Sequence, residues 1–141
     1  MTVLMTAHAK SVGGRAGHVA SDDGMISLDL VAASGDKKGS NPEQLFAAGY
    51  SACFGSALDF VAKSKKVDTG EITVAADVSL NQNEGGFFIS VVLNVAFASL
   101  TGEAAHEIVH AAHQVCPYSK ATRNNIEVNF TVNAEPLAMA A

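Results

Sequence analysis

Charged residues are scarce in this sequence, and proline, cysteine and tryptophan are scarcer. Of the 141 residues 16% are charged, three are proline, two are cysteine and none is tryptophan. The cysteines, Cys53 and Cys116, are too few for a disulfide-framed secreted scaffold and too isolated for a CxxC zinc or redox motif. Nine basic against 14 acidic residues give a net charge of −5, which leaves no basic surface for phosphate backbones or anionic membranes. We therefore expect no nucleic-acid partner and no membrane partner.

The remaining composition is that of an apolar globular domain. Hydrophobic residues make up 48% of the chain, and a chain of this length buries roughly two thirds of its unfolded surface. Residues 1–10 have neither the basic start nor the apolar run of a secretory signal. We expect a single domain over residues 1–141, located in the cytoplasm.

Alternation and turn signals predict a meander of three strands in the first third of the chain. Residues 3–10 and 15–20 have strand patterns, separated by a break at Gly13 and Gly14. A hairpin signal at residues 22–24 precedes a third strand, in which Ile26, Leu28 and Leu30 alternate with polar residues.

A long helix follows, with a well-defined start. Asn41 can cap the helix, Pro42 suits its first position, and Gln44 can complete a capping box. Residues 45–62 are apolar or small except for Asp59, so we expect the helix to be buried nearly all round. Its glycines, serines and Asp59 argue against a membrane span. Because one small domain can hardly enclose a helix of ~30 Å, we expect a partner chain to cover part of it.

The second half of the chain mixes strands with helices. Residues 71–80 and 87–97 form β-rich runs around a hairpin signal at residues 83–86. Thr101 can cap a helix to residue 115, with Ile108, Val109, Ala112 and Val115 on its apolar side. A short turn over residues 117–123 and a last strand over residues 126–132 complete an α+β fold.

Four residues are candidates for chemistry, and each also has a plain structural explanation. Cys53 lies midway along the apolar helix, and Cys116 lies at a helix junction where unpaired N–H groups favour a thiolate. Either could be a packing cysteine, and the sequence cannot show whether the two meet. Arg15 is a lone cation among small residues and could be an ordinary surface arginine. Glu43 could simply complement the dipole at the start of the long helix.

A stripe of histidines at residues 106, 110 and 113 is a candidate zinc site. Its ligands would span more than about 10 Å along one helix, too far to converge at the ~2 Å that zinc coordination needs. We expect the stripe to be the solvent face of an amphipathic helix, opposite Ile108 and Val115.

Three segments carry a specific resemblance: residues 41–54 (NPEQLFAAGYSACF), residues 115–123 (VCPYSKATR) and residues 13–15 (GGR). Together they closely resemble the organic hydroperoxide resistance (Ohr) family of the OsmC superfamily. The resemblance implies a thiol peroxidase in which Cys53 is the peroxidatic cysteine and Cys116 the resolving one. It also implies that Arg15 and Glu43 lie beside the reactive thiol.

The resemblance extends to the fold and the partners. It implies an OsmC-like α+β fold with antiparallel sheets and a long buried central helix, assembled as an intertwined homodimer with two active sites at the interface. The implied reductant is a dihydrolipoyl group on a lipoylated protein, with no bound cofactor or metal. The loop at residues 33–39 looks shorter and more charged than is usual in the family, which bears on the pocket mouth and on substrate preference.

Elementary chemistry agrees with these roles. A thiol in an apolar helix needs a nearby cation to react as thiolate; Arg15 can supply it, and Glu43 can hold the guanidinium by a bidentate pair. Attack on a hydroperoxide gives an alcohol and a sulfenic acid on Cys53, and condensation with Cys116 gives a disulfide that a dithiol can reduce. Apolar surroundings would favour organic hydroperoxides.

The spacing of Glu43 and Cys53 adds one constraint. They are ten residues apart on one predicted helix, roughly 15 Å along its axis. We therefore expect the Arg15–Glu43 pair to reach Cys53 through the length of Arg15 or to come from a second chain. Two rival functions stay open, a non-catalytic apolar-ligand protein with two equally unreactive thiols and a zinc protein that uses the histidine stripe.

Overall fold

The computed structural model describes residues 1–32 and 35–139. Its contacts divide the chain into two compact units, Met1–Leu45 and Phe46–Ala141. Residues 33 and 34 of the 33–39 loop lie outside the described residues. The single domain expected over residues 1–141 stays a prediction.

The first unit contains an antiparallel sheet of three strands in the order β1-β2-β3. The strands are β1 (Ala9–Val12), β2 (His18–Ser21) and β3 (Ser27–Asp29). The predicted meander is confirmed, but its first strand begins at residue 9 rather than residue 3.

The turn between β1 and β2 carries Arg15, which was predicted to open a strand. Arg15 lies instead in a short 3-10 helix, Gly14–Ala16. Gly13 and Gly14 have φ angles of 82° and 57°, a left-handed conformation that interrupts the extended chain. At Gly17 a side chain would collide with the carbonyl oxygen of Val12. This tight return places Arg15 at the tip of the turn.

Helix α1 spans Pro42–Lys65 and begins where the sequence predicts. The Asn41 Oδ1 accepts the backbone N–H of Gln44 at 2.8 Å, which is the expected cap. The capping box is not closed, because the Gln44 Oε1 accepts the Ser40 hydroxyl at 2.9 Å instead. The helix continues three residues beyond the predicted end at residue 62.

One face of α1 is buried within the single chain, and burial nearly all round, which needs a partner chain on the other face, stays a prediction. Tyr50, Phe54 and Leu58 are fully buried, whereas Ser56 is exposed and Phe60 is 64% exposed. Cover of the exposed face by a partner chain stays a prediction. By length and composition α1 could also cross a membrane, but its buried side chains belong to the apolar core of the second unit.

The second unit is built on a sheet with the strand order β4-β5-β6-β7. Its elements are β4 (Ile72–Asn83), β5 (Gly86–Phe97), α2 (Gly102–Val115), α3 (Pro117–Thr122), β6 (Val128–Val132) and β7 (Glu135–Leu137). The β4–β5 hairpin is confirmed. The last predicted strand, β6, pairs parallel with β5, and the short β7 was not predicted. Two helices connect β5 to β6, which is the kind of crossover that a parallel pair requires.

Side chains from α1, α2 and one face of this sheet form one apolar core. Strand β5 buries every second residue, Val91, Leu93 and Val95, as a strand with one covered face should. Phe54 of α1 meets Phe130 of β6 with ring centroids 5.4 Å apart. The core therefore fixes the middle of α1 against the sheet.

The orientation of α2 corrects the expectation for the histidine stripe. His113 is buried and its ring packs against that of Phe130 at 5.0 Å, whereas Val115 is 49% exposed. The buried residues follow Ala105 at spacings of three, four, seven and eight, and this stripe includes residue 113 but not residue 115. Among the residues that the structure describes, no three His, Cys, Asp or Glu side chains are arranged to hold a metal ion.

Candidate active site

Cys53 and Cys116 lie in contact, which the sequence could not establish. Their sulfur atoms are 3.5 Å apart, and both are free thiols. A disulfide bond is about 2.05 Å long, so the two sulfurs need only a small movement to join. Cys53 is in the middle of α1, and Cys116 is the single residue between α2 and α3.

The two thiols differ in their access to solvent. Cys53 is half-buried, whereas Cys116 is completely buried. The backbone N–H of Cys116 donates to the Ala112 carbonyl at 2.9 Å, and its carbonyl accepts the Lys120 N–H at 3.0 Å. A reagent from solution therefore meets Cys53 first. This difference disfavours the non-catalytic alternative, which predicts matched reactivity of the two thiols.

The surroundings of Cys53 act on its thiol in opposite directions. Burial raises the pKa of Cys53, the backbone N–H of Tyr118 lowers it, and the neighbouring Cys116 raises it again. The net result is a pKa above the usual thiol value. These groups alone do not produce a thiolate at neutral pH, so a further source of positive charge is required.

Aromatic rings from α1 and α3 pack against one another close in sequence to the cysteines, with Tyr50 three residues before Cys53 and Tyr118 two residues after Cys116. Tyr118 packs against Phe46 and Tyr50, with ring centroids 6.0 Å and 5.7 Å away. A side chain at Gly49 would lie 2.7 Å from the Tyr118 hydroxyl, so the glycine gives this ring room to lie against α1. Tyr50 and Cys116 belong to one buried apolar cluster, and Phe46 and Cys53 pack against it.

A buried group of three hydroxyls also joins α1 to α3. The Tyr50 hydroxyl lies 2.9 Å from the Ser119 hydroxyl and 3.1 Å from the Thr122 hydroxyl. Burial raises the pKa of Tyr50, so its hydroxyl stays protonated and neutral. Sequence reasoning missed all three residues. The spacing of Tyr50 one turn before Cys53, and of Ser119 three residues after Cys116, is the only signal that the sequence contains.

Arg15 and Glu43 form the bidentate ion pair that the sequence analysis expects. The two guanidinium Nη atoms donate to the two carboxylate oxygens at 3.0 Å and 2.6 Å. The shared hydrogen bonds raise the pKa of Arg15 and lower the pKa of Glu43, so both groups are charged. The Arg15 side chain is 58% exposed, whereas that of Glu43 is 16% exposed. A guanidinium held in this way can present its remaining N–H groups to a ligand.

The four expected site residues thus form two pairs, each inside one compact unit. Arg15 and Glu43 both belong to Met1–Leu45, and Cys53 and Cys116 both belong to Phe46–Ala141. The combination of the two pairs in one catalytic site remains a prediction.

Comparison with known proteins connects these features to one family. The family described as OsmC-like protein matches residues 35–131. Organic hydroperoxide resistance protein OhrB of Bacillus subtilis (strain 168) is 49% identical over 131 residues, which cover 90% of this chain and 96% of that protein. Organic hydroperoxide resistance protein of Xanthomonas axonopodis pv. citri (strain 306) is 44% identical over 137 residues, which cover 92% of this chain and 95% of that protein.

Solved structures give the same result for the fold. The crystal structure of OhrB of Bacillus subtilis is similar with a TM-score of 0.88 and 47% identity, covering 92% of this chain and 99% of that one. A putative organic hydroperoxide resistance protein of Vibrio cholerae O1 biovar eltor, with captopril bound in one of its active sites, has a TM-score of 0.89 and 42% identity, covering 97% of each chain. The expected OsmC-like α+β fold is therefore confirmed.

Proposed function

The chain belongs to the OsmC-like family, among the organic hydroperoxide resistance proteins, and we propose that it is a cysteine-based peroxidase that reduces organic hydroperoxides to alcohols. The observation that carries this proposal is the contact of a half-buried Cys53 with a fully buried Cys116 at 3.5 Å. One thiol is open to a peroxide, and the other is held ready to trap the oxidised product.

In the first step the Cys53 thiolate attacks the O–O bond of the hydroperoxide. The sulfur gains one oxygen and becomes a sulfenic acid, and the leaving alkoxide takes a proton to become the alcohol. In the second step the Cys116 sulfur attacks the Cys53 sulfur, so that the S–S bond forms, the S–O bond breaks and water leaves. Rapid trapping protects the sulfenic acid from further, irreversible oxidation.

Arg15 is the cation that we assign to the thiolate. The pKa of Cys53 is raised by burial and by Cys116, and an opposite charge at close range lowers a pKa by about 1–3 units. Glu43 holds the guanidinium through both of its oxygens, which leaves the outer N–H groups of Arg15 to bind the peroxide oxygens. The proposal assigns this role to Arg15 of the same chain or of the homodimer partner.

The apolar rings beside Cys53 support an organic rather than an inorganic peroxide as substrate. Phe46 is half-buried and Tyr118 is 39% exposed, so part of each ring can contact a ligand. Burial of the carbon atoms of an organic or fatty-acid hydroperoxide against such rings makes its binding free energy more favourable. Hydrogen peroxide has no carbon atoms to bury. We expect alkyl hydroperoxides to be the better substrates.

The proposal includes an external reductant and requires no resident cofactor. A dihydrolipoyl group on a lipoylated protein would reduce the Cys53–Cys116 disulfide by thiol–disulfide exchange, with Cys53 as the accessible sulfur to attack. We also propose a homodimer located in the cytoplasm, where the thiols are kept reduced between turnovers.

Turnover assays of two cysteine variants test this function. With an alkyl hydroperoxide and dihydrolipoamide, Cys53→Ser should show no turnover, because the variant lacks the attacking sulfur. Cys116→Ser should react with a first equivalent of hydroperoxide and then recycle far more slowly, because only the external dithiol, and no neighbouring thiol, can condense with its sulfenic acid. Substantial multiple turnover by Cys53→Ser would rule the proposal out.

A control must show that the two variants differ in chemistry and not in folding. Ala104→Ser, at an exposed position of α2, adds a hydroxyl group away from the cysteines and should retain wild-type turnover. Circular dichroism and thermal melting of the three variants should agree with those of the wild type.

A further inference from the structure

Two groups that act on the thiol of Cys53 belong to the start of helix α3. The Cys116 sulfur, at the residue before α3, lies 3.5 Å away. The backbone N–H of Tyr118, in the first turn, lowers the pKa of the same thiol. A helix of six residues is too short to hold its own position or shape in water. Contacts with the rest of the chain must therefore fix these two groups.

The hydroxyls of Tyr50, Ser119 and Thr122 form a closed hydrogen-bond network between α1 and α3. The Thr122 hydroxyl donates to the Ser119 carbonyl at 3.3 Å. Each hydroxyl has one proton, so Thr122 accepts from Tyr50, and Tyr50 in turn accepts from Ser119. Every hydroxyl proton is used, and all three side chains are buried. A fully satisfied network in a dry interior holds its members in one arrangement.

The network lies one helical turn from the reacting atoms on both helices. Tyr50 precedes Cys53 by three residues on α1, and Ser119 follows Cys116 by three residues at the start of α3. Residues three apart lie on the same side of a helix. A shift of α3 along or away from α1 would therefore have two effects at once: it would break the network, and it would move the two sulfurs apart.

We propose that the hydroxyl network of Tyr50, Ser119 and Thr122 is a positioning device that holds α3 where Cys116 can attack the oxidised Cys53. This inference rests on the proposed peroxidase function. The sulfurs must close from 3.5 Å to about 2.05 Å, a distance that side-chain rotation supplies only while α3 stays in place. The same placement aims the Tyr118 N–H at the Cys53 sulfur, which favours its thiolate.

The Tyr50→Phe variant tests the device because it removes only the hydroxyl. The ring that packs against Phe46 and Phe54 is retained. After one equivalent of cumene hydroperoxide, the lifetime of the sulfenic acid, measured by dimedone trapping, should lengthen about tenfold, the scale of one or two lost buried hydrogen bonds. The pH midpoint of Cys53 alkylation should rise because the Tyr118 N–H is less well aimed.

A second variant and a matched control separate positioning from general stability. Ser119→Ala should have the same two effects, and the double variant should show little more than either single one, because both remove the same network. Thr131→Val removes a hydroxyl bond of 2.9 Å to Asn94 within the sheet. It should lower the melting temperature without changing the lifetime or the alkylation midpoint. The proposal is wrong if Tyr50→Phe or Ser119→Ala behaves like Thr131→Val.

A third measurement separates this inference from the peroxidase function. Diamide oxidises the two thiols without any hydroperoxide, and equilibration in dithiothreitol buffers gives the dithiol–disulfide equilibrium constant. The network predicts that Tyr50→Phe favours the dithiol about tenfold relative to the wild type. If the wild type does not react with hydroperoxides but the dithiol–disulfide equilibrium constant still changes in Tyr50→Phe, the peroxidase proposal fails and the positioning role stands. If the wild type is an active peroxidase and neither equilibrium nor lifetime changes, the positioning role is wrong.

Discussion

At the scale of single residues, Cys53 occupies a position that opposes its own ionisation. Burial and the adjacent Cys116 raise its pKa, and the Tyr118 N–H offsets only part of that rise. Without a nearby cation such a cysteine stays a thiol and reacts slowly, because the thiolate is the nucleophile. In the function that we propose, Arg15 supplies that cation, and Glu43 holds its guanidinium through two hydrogen bonds.

Removal of the Arg15 charge should therefore lower reactivity in a pH-dependent way. In the function that we propose the cation lowers the pKa of Cys53, so its removal should leave less thiolate at a fixed neutral pH. A loss of about 1–3 pKa units of stabilisation predicts a 10- to 1,000-fold slower reaction of Arg15→Gln with cumene hydroperoxide near pH 7, and a smaller deficit as the pH increases. Stopped-flow oxidation rates measured across this pH range check the prediction.

Lys10→Gln is the matched control, because it removes one positive charge from an exposed position in β1. Its rate profile should follow the wild type. If the oxidation rates of Arg15→Gln and Lys10→Gln are equal at every pH, Arg15 has no part in the mechanism.

The sequence predicted candidate site residues but not their surroundings. Residues 41–54 and 115–123 identify Cys53 and Cys116 through a family resemblance, while the contact of their sulfurs depends on folding of the chain between them. Tyr50 and Ser119 escaped notice because hydroxyl residues are common and their partnership spans 69 positions. Long-range polar pairs of this kind leave no local pattern.

At the scale of helices and strands, the features set by local chemistry were predicted well. The start of α1 follows from the Asn41 cap and Pro42, and the β4–β5 hairpin follows from its turn residues. The direction of β6 was not predictable, because an alternating pattern is the same for parallel and antiparallel strands. The rotation of α2 was misjudged for a similar reason, since histidine suits either a solvated or a buried position.

The burial of His113 on α2 predicts an acid-sensitive stability. Burial lowers its pKa below the usual 6.5, and the nearby charges of Arg123 and His110 add to the effect. The unfolded chain therefore binds this proton more readily than the folded chain. The free energy of unfolding should be unaffected by His113 above pH 6.5. It should fall as the pH decreases from 6.5 toward the lower pKa that His113 has in the folded chain.

Urea denaturation of His113→Leu checks this prediction. Between about pH 7.5 and pH 5.5 the variant should lose less free energy of unfolding than the wild type, because one site contributes at most ~1.4 kcal/mol per pH unit. His8→Gln, which removes an exposed histidine, should keep the wild-type slope. Equal slopes for His113→Leu and the wild type would show that His113 does not cause the acid sensitivity.

At the scale of the whole molecule, the exposed side of α1 is the main feature that a single chain leaves unexplained. Phe60 is 64% exposed and lies on the same helix as small exposed residues such as Ala52 and Ser56. Small side chains allow close approach of another surface. Removal of a large exposed aromatic ring from water stabilises the complex that covers it. Both features fit the homodimer that we propose.

We predict that Phe60→Arg weakens this homodimer. The wild type should sediment at twice its chain mass of 14.5 kDa, and the variant should shift toward the monomer because a charge would be buried at the interface. Asn129→Arg adds the same charge at an exposed position of β6 and should remain dimeric. Analytical ultracentrifugation distinguishes these results, and a wild-type protein that is fully active as a monomer would exclude the contribution of Arg15 by a second chain.

The central claim is that a hydroperoxide converts the touching thiols of Cys53 and Cys116 into one intramolecular disulfide. Its most direct test is to add one equivalent of cumene hydroperoxide to the fully reduced protein and to analyse the product by mass spectrometry. The account predicts loss of two hydrogens per chain and a peptide in which Cys53 is linked to Cys116, with release of the alcohol. Unchanged reduced thiols, or a link between chains without any Cys53–Cys116 disulfide within a chain, would contradict it.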